Sequence, residues 1–144
     1  MTEPGGPTWR QTTFFPFSIT SRLAGARAVR VPVRSGTFTS ERFGAVANVN
    51  AVATIGDDGS VSLFVVNRSV HEAVPLTLDV SALGDQLQVV ESHLLSDEDI
   101  YAANTLADTD RVRPTDAAAQ VVDGLLRVDL PAVSWAAIRL ISNT

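Results

Sequence analysis

The sequence predicts an all-β fold, an antiparallel β-sandwich of jelly-roll or Greek-key type preceded by one N-terminal α-helix. Three observations predict it. The stretch Val46–Ser69 reads as two apolar strands around the turn residues Asp57-Asp58-Gly59. Its second strand, Val61–Val66, is apolar on both faces, which fits an interior strand covered by a second layer. Other segments alternate apolar and polar residues with turn residues between them, and about seven to nine such strands make a two-layer body.

Taken in order, Met1–Pro7 is a turn-forming lead-in. Thr8 can cap a helix by accepting a backbone N–H, and Trp9, Thr13, Phe17, Thr20 and Leu23 follow at helical spacing, with Phe14 and Phe15 adding apolar surface. Pro16 removes a donor, so the sequence predicts a kink or a split there. Gly25 stops the helix. From Ala28 the period becomes two, with Val29, Val31 and Val33 on one face of a strand that Pro32 assigns to an edge. Gly36–Arg42 reads as a turn anchored by Phe38 and Phe43.

In the central hairpin, Val49, Ala51, Ala53 and Ile55 share a face, and Asp57-Asp58-Gly59 suits a primed hairpin turn. Asn67-Arg68-Ser69 matches a glycosylation sequon, but an asparagine bonding its own backbone in a turn is the simpler reading. Val74–Val80 and Leu87–Leu95 are further strands separated by a turn at Ser81–Gln86. Ser96–Ala119 is a polar excursion without period, with a short helical turn expected near Asp97–Tyr101. Leu125–Leu130 and Val133–Ile141 are the last strands, split by Pro131.

Composition bounds the function. The 144 residues suffice for one domain. No apolar run approaches the roughly 20 residues that span a bilayer, so no membrane partner is expected. A net charge of −5, with eleven arginines and no lysine, gives nucleic acid little to bind. With no cysteine there is no disulfide or thiolate site, and two histidines offer zinc little. No metal and no cofactor is expected.

The acidic groups Asp57-Asp58, Asp97-Glu98-Asp99 and Asp108/Asp110 lie in polar loops. A general acid needs a carboxyl raised in pKa by an apolar wall, so these read as solvated loop acids. The Asp97 cluster lacks the spacing and glycine of a calcium loop. Ser92 and His93 are neighbours on a strand and point to opposite faces, so they cannot form a nucleophile–base pair. Trp9, Tyr101 and Trp135 are the candidates for a sugar-stacking platform, although packing roles account for such residues more simply.

The segment from Thr2 to Phe17, with Trp9-Arg10-Gln11-Thr12-Thr13-Phe14-Phe15-Pro16-Phe17 at its end, resembles the end of the catalytic barrel in α-L-arabinofuranosidases of glycoside hydrolase family 51. Phe64–Ser69, Ala103-Asn104-Thr105, Asp110–Pro114 and Leu130–Leu140 resemble that family's C-terminal sandwich in the same order. Thr109 departs from the pattern, where a proline is expected.

The resemblance implies a retaining glycosidase that removes terminal α-L-arabinofuranosyl groups from arabinan and arabinoxylan with two glutamates, acid/base and nucleophile. Both belong to a barrel N-terminal to this segment, and Glu3 matches neither, so no catalytic residue is expected here. The residue matching Gln11 lies at the family's sugar pocket, which makes Gln11 the candidate substrate-binding residue. Residues 1–26 then close the barrel and residues 27–144 form the sandwich. The expected role is structural and interdomain, with the chain inactive alone. Its partners are the absent barrel, arabinose-containing oligosaccharides through the parent enzyme, and a possible second copy of itself in a homo-oligomer. The resemblance implies a cytoplasmic enzyme. The alternatives are a carbohydrate-binding module with an exposed aromatic platform, and a catalytic domain in its own right.

Overall fold

The computed structural model describes residues 4–84 and 86–142. It contains one α-helix, α1 (Phe14–Leu23), and ten strands: β1 (Arg27–Arg30), β2 (Thr37–Ser40), β3 (Gly44–Ala47), β4 (Val49–Ile55), β5 (Val61–Asn67), β6 (Val74–Asp79), β7 (Leu87–Leu95), β8 (Gln120–Val122), β9 (Leu125–Leu130) and β10 (Ser134–Ser142). A five-stranded antiparallel sheet runs β1-β4-β5-β10-β7, and a three-stranded sheet runs β6-β9-β8. The all-β sandwich with one leading helix is as the sequence predicts.

Alternation decides which faces meet. Val49, Ala51 and Ala53 of β4 point inward with Val61, Leu63 and Val65 of β5 and Ala136, Ile138 and Leu140 of β10. Leu126, Val128 and Leu130 of β9 meet them from the other sheet, and several of these side chains are fully enclosed. Each large apolar side chain so enclosed contributes about 1.5–3 kcal/mol. The three-stranded sheet turns Thr77, Asp79, Arg127 and Asp129 outward to water, so it has one covered face only.

β5 lies at the centre of its sheet and is covered on both sides. The second cover is α1, whose Ile19 and Leu23 pack on Ala137 with Phe15, Phe64 and Trp135 around them. The helix therefore uses Phe15, Ile19 and Leu23, spaced at i, i+4 and i+8, as its inner face. The expected face through Trp9, Thr13 and Phe17 does not form: the helix begins at Phe14, not Thr8, and Phe17 is 79% exposed.

Pro16 produces no kink. It is the third helical residue, where the N–H has no intrahelical acceptor to lose. The N–H groups of Phe14 and Phe15 donate to the carbonyls of Gln11 and Thr12. At the other end Gly25 is required by proximity: a Cβ there would stand 2.4 Å from the Ile55 carbonyl carbon. Its N–H donates to Thr54 Oγ1 at 2.8 Å.

Other expectations change. The strand from Ala28 to Arg34 is cut to β1, because Pro32 cannot donate to a ladder; Val31 and Val33 still pack on the core from the sheet edge. Gly36–Arg42 is not a turn but contains β2, which pairs with β3 from Thr37↔Ala47 to Ser40↔Gly44. Phe38 and Phe43 are exposed and belong to neither core cluster, Phe43 lying under the Arg42 guanidinium. The β4–β5 connection is not a primed turn. Asp57 and Asp58 do not take positive φ; Gly59 does, at 76°, while its N–H donates to the Gly56 carbonyl at 3.0 Å. This is a type I turn followed by a glycine bulge, the usual three-residue loop. The two-residue turn occurs instead at Asp123-Gly124, where both φ values are positive and Val122 pairs with Leu125. It creates β8, which the sequence reading omitted.

Candidate functional site

The residues singled out by sequence scatter into structural roles, with one exception. Asp58 accepts from Ser60 Oγ at 2.6 Å and pairs with Arg139 at 3.0 Å. Asp97 accepts two bonds from the Arg111 guanidinium, at 3.0 and 3.1 Å, and Asp110 pairs with Arg113 at 2.7 Å. No helix forms at 97–101; Asp97 and Asp99 instead accept the N–H groups of Asp99 and Tyr101. Such side-chain bonds to the backbone two residues on compete with helix.

The electrostatics oppose acid catalysis by Asp58 and Asp97. Hydrogen bonds from Ser60, Ser81, Arg111 and Ser92 hold Asp58, Asp79, Asp97 and Asp116, respectively, below the ordinary carboxylate range. Glu91 is pushed down to about 2, chiefly by the Arg22 guanidinium. A general acid needs the opposite shift. Among the described residues no three His, Asp or Glu gather into a metal-binding group.

His93 and Ser92 diverge as strand geometry requires. His93 Nε2 lies 2.6 Å from Glu91 Oε1 and 3.4 Å from Arg22 Nη2, on the side of α1. Ser92 Oγ donates to Asp116 instead. Of the three candidate platform aromatics, Trp135 packs beneath α1 and Trp9 donates from Nε1 to the Asn104 carbonyl at 3.3 Å. Tyr101 stands 86% exposed on the long loop.

The exception is the segment before α1. Thr8, Trp9, Arg10, Gln11, Thr13 and Phe14 line an open depression. Gln11 is exposed there, its carbonyl holding the Phe14 N–H at 2.9 Å and its side-chain amide directed at nothing among the described residues. The depression runs onto the outward side of α1, where Phe14 is 44% exposed, under the Arg10 guanidinium, and Phe17 is 79% exposed.

One residue ties this segment to the sandwich. Asn104, 6% exposed, donates from Nδ2 to the carbonyls of Arg10 at 3.1 Å and Val112 at 3.0 Å. Its Oδ1 accepts the Val112 N–H at 2.7 Å, and its own N–H donates to Thr12 Oγ1 at 3.0 Å. Sequence reasoning placed Asn104 within a motif but gave it no role. A buried asparagine in a polar loop has no periodicity to mark it.

With this geometry in place, comparison with known proteins is decisive. The family model described as "Alpha-L-arabinofuranosidase C-terminal domain" matches residues 1–134. The chain belongs to this family. It is 44% identical, over 97% of its length, to an exo-alpha-(1->6)-L-arabinofuranosidase of Bifidobacterium longum. It is 43% identical, over 96%, to an intracellular exo-alpha-(1->5)-L-arabinofuranosidase of Streptomyces lividans. It spans only 27% and 21% of those two relatives. The solved family 51 α-L-arabinofuranosidase of Bifidobacterium longum superposes with a TM-score of 0.87 at 32% identity, covering 96% of this chain and 27% of that one. A family 51 enzyme from Thermotoga petrophila, at 21% identity, shares the fold with a TM-score of 0.80. The match covers α1 and the strands as far as the start of β10. Among its described residues no helix is long and apolar enough to cross a membrane.

Proposed function

We propose that this chain acts as the C-terminal part of a retaining, cytoplasmic α-L-arabinofuranosidase whose catalytic barrel supplies both carboxylates. Residues 1–26 complete that barrel, and residues 27–144 brace it. The observation that carries this reading is the two-sided helix. α1 packs Phe15, Ile19 and Leu23 on its own sheet while presenting Phe14 and Phe17 outward. A phenyl ring exposed at the middle of a packed helix leaves about 25 cal/mol/Å² of apolar surface unburied, which a docked neighbour recovers. Gln11 lies at the rim of that same surface and hydrogen-bonds the furanose hydroxyls once the barrel is present.

The substrate class is terminal α-L-arabinofuranosyl groups of arabinose-containing oligosaccharides, cleaved through a glycosyl-enzyme intermediate between two barrel glutamates. The outward phenylalanines also give a homo-oligomer a contact in the absence of the barrel.

The test is release of p-nitrophenol from p-nitrophenyl α-L-arabinofuranoside. The purified chain is expected to release none above background. The same chain, joined to the Bifidobacterium longum relative in place of that relative's matching 27%, is expected to release it readily. Release by the purified chain would make it a catalytic domain in its own right. Millimolar or tighter binding of arabino-oligosaccharides to the chain by calorimetry would make it a carbohydrate-binding module instead.

A further inference from the structure

We propose that Asn104 is a positioning residue for Gln11, through which the sandwich sets the geometry of the sugar-binding side chain. The inference rests on the substrate-binding role proposed for Gln11 and goes beyond it by making the sandwich part of the binding apparatus.

The argument begins with what holds Gln11. Residues 9–11 carry no regular secondary structure, so no helix or strand ladder fixes their backbone. Left alone, such a segment keeps its conformational freedom and samples many shapes. Yet the residues flanking Gln11 are all held by Asn104: Trp9 through its indole N–H, Arg10 through its carbonyl and Thr12 through its hydroxyl. Gln11 is exposed and makes no bond to Asn104 itself.

Asn104 is itself fixed. Its amide plane is locked to both backbone groups of Val112, which is 4% exposed. The loop carrying it is pinned by reciprocal backbone bonds of 2.8 Å between Leu94 and Thr115. The chain of contacts therefore runs from β7 through the loop to Asn104 and on to either side of Gln11. A binding group displaced by about 1 Å can lose on the order of a hundredfold in rate, which is the leverage such a clamp has.

The test uses Thr12→Val, Thr12→Ser, Asn104→Ala, Gln11→Ala and, as a loop control, Asp97→Asn. In the chain itself, hydrogen exchange of the Phe14 and Phe15 amides is expected to quicken about tenfold in T12V and N104A and to stay unchanged in T12S and D97N. In the active fusion with the Bifidobacterium longum relative, T12V is expected to lower kcat/KM for p-nitrophenyl α-L-arabinofuranoside about tenfold, mainly through KM. N104A lowers it further, and T12S and D97N stay within about threefold. In the Q11A background, N104A and T12V are expected to add less than about threefold, because they act through Gln11.

Full additivity with Q11A, or normal kcat/KM in both T12V and N104A while Q11A is impaired, would overturn the proposal and leave the role of Gln11 standing. A silent Q11A would instead overturn the role of Gln11 itself, and the proposal with it. Because T12V removes a single hydroxyl at a half-buried site, the result does not depend on N104A folding.

Discussion

Asn67, at the end of β5, is 1% exposed and makes four hydrogen bonds. Its Oδ1 accepts the Ser69 N–H at 3.0 Å, and its Nδ2 donates to the carbonyls of Glu72, Leu130 and Pro131 at 2.9, 3.1 and 2.9 Å. It therefore closes the turn after β5 and joins it to the crossing between the two sheets. Asn67→Ala removes the shared amide donor from the Glu72, Leu130 and Pro131 carbonyls, and Asn67→Asp aims carboxylate oxygens at them. Each is expected to cost about 2–4 kcal/mol, read as a lowered midpoint of urea unfolding. The local bond to Ser69 was legible in the sequence, since asparagine before a turn has few other uses. The distant bonds were not, because they join residues 63 and 64 positions apart. The same burial leaves the sequon nitrogen engaged, so the folded chain offers it to no glycosyl donor. Asn104 repeats the lesson at the candidate site: Gln11 was named from a motif, but the residue that holds its neighbours lies more than ninety positions away.

At the scale of elements, α1 is joined to the sheet by packing on one side and by charge on another. Arg22, in the last turn, donates from Nη1 to Glu91 Oε2 at 2.9 Å and from Nη2 to Oε1, and His93 Nε2 meets the same carboxylate. Glu91 is thereby lowered from 4.5 to about 2. Because the folded-state value lies below the unfolded one, the carboxylate stabilises the fold above about pH 4.5. That contribution is lost as pH falls from there through about 2. With both partners partly exposed, it amounts to about 1 kcal/mol. Glu91→Gln is expected to lower Tm by several degrees at pH 6, with the difference closing by about pH 2 as followed by circular dichroism. An unchanged gap at low pH would assign the effect to packing. The strands themselves were legible wherever apolar residues alternate, as in β4 to β7, β9 and β10. β2 and β8 were not, being short and backed by glycine, serine and aspartate, whose local preferences read as turn. The helix was legible in type but not in register, because aromatic residues occur on both its faces.

For the whole molecule, the two-faced helix explains why a sandwich of this size carries so much outward aromatic surface. β5 and β10 are each covered twice, by the second sheet within and by α1 without, so the molecule has three layers where the helix lies. A helix forming the outermost layer of a self-sufficient domain is expected to end in polar residues, and Phe17 is not one. The sequence made this conflict visible, but only the structure divides the helix into a satisfied face and an unsatisfied one. Phe17→Ser separates the two accounts. In the chain alone, the substitution removes little buried surface and changes helix propensity little, so its Tm is expected to stay within about 2 °C and any concentration-dependent association to weaken. In the fusion with the Bifidobacterium longum relative, the proposed docking places that ring in the seam between the two parts. There it is expected to cost about 2–4 kcal/mol, read by calorimetric unfolding together with loss of activity on heating. Equal effects in the two settings would mean that the phenyl ring faces water in both, and that the barrel docks elsewhere.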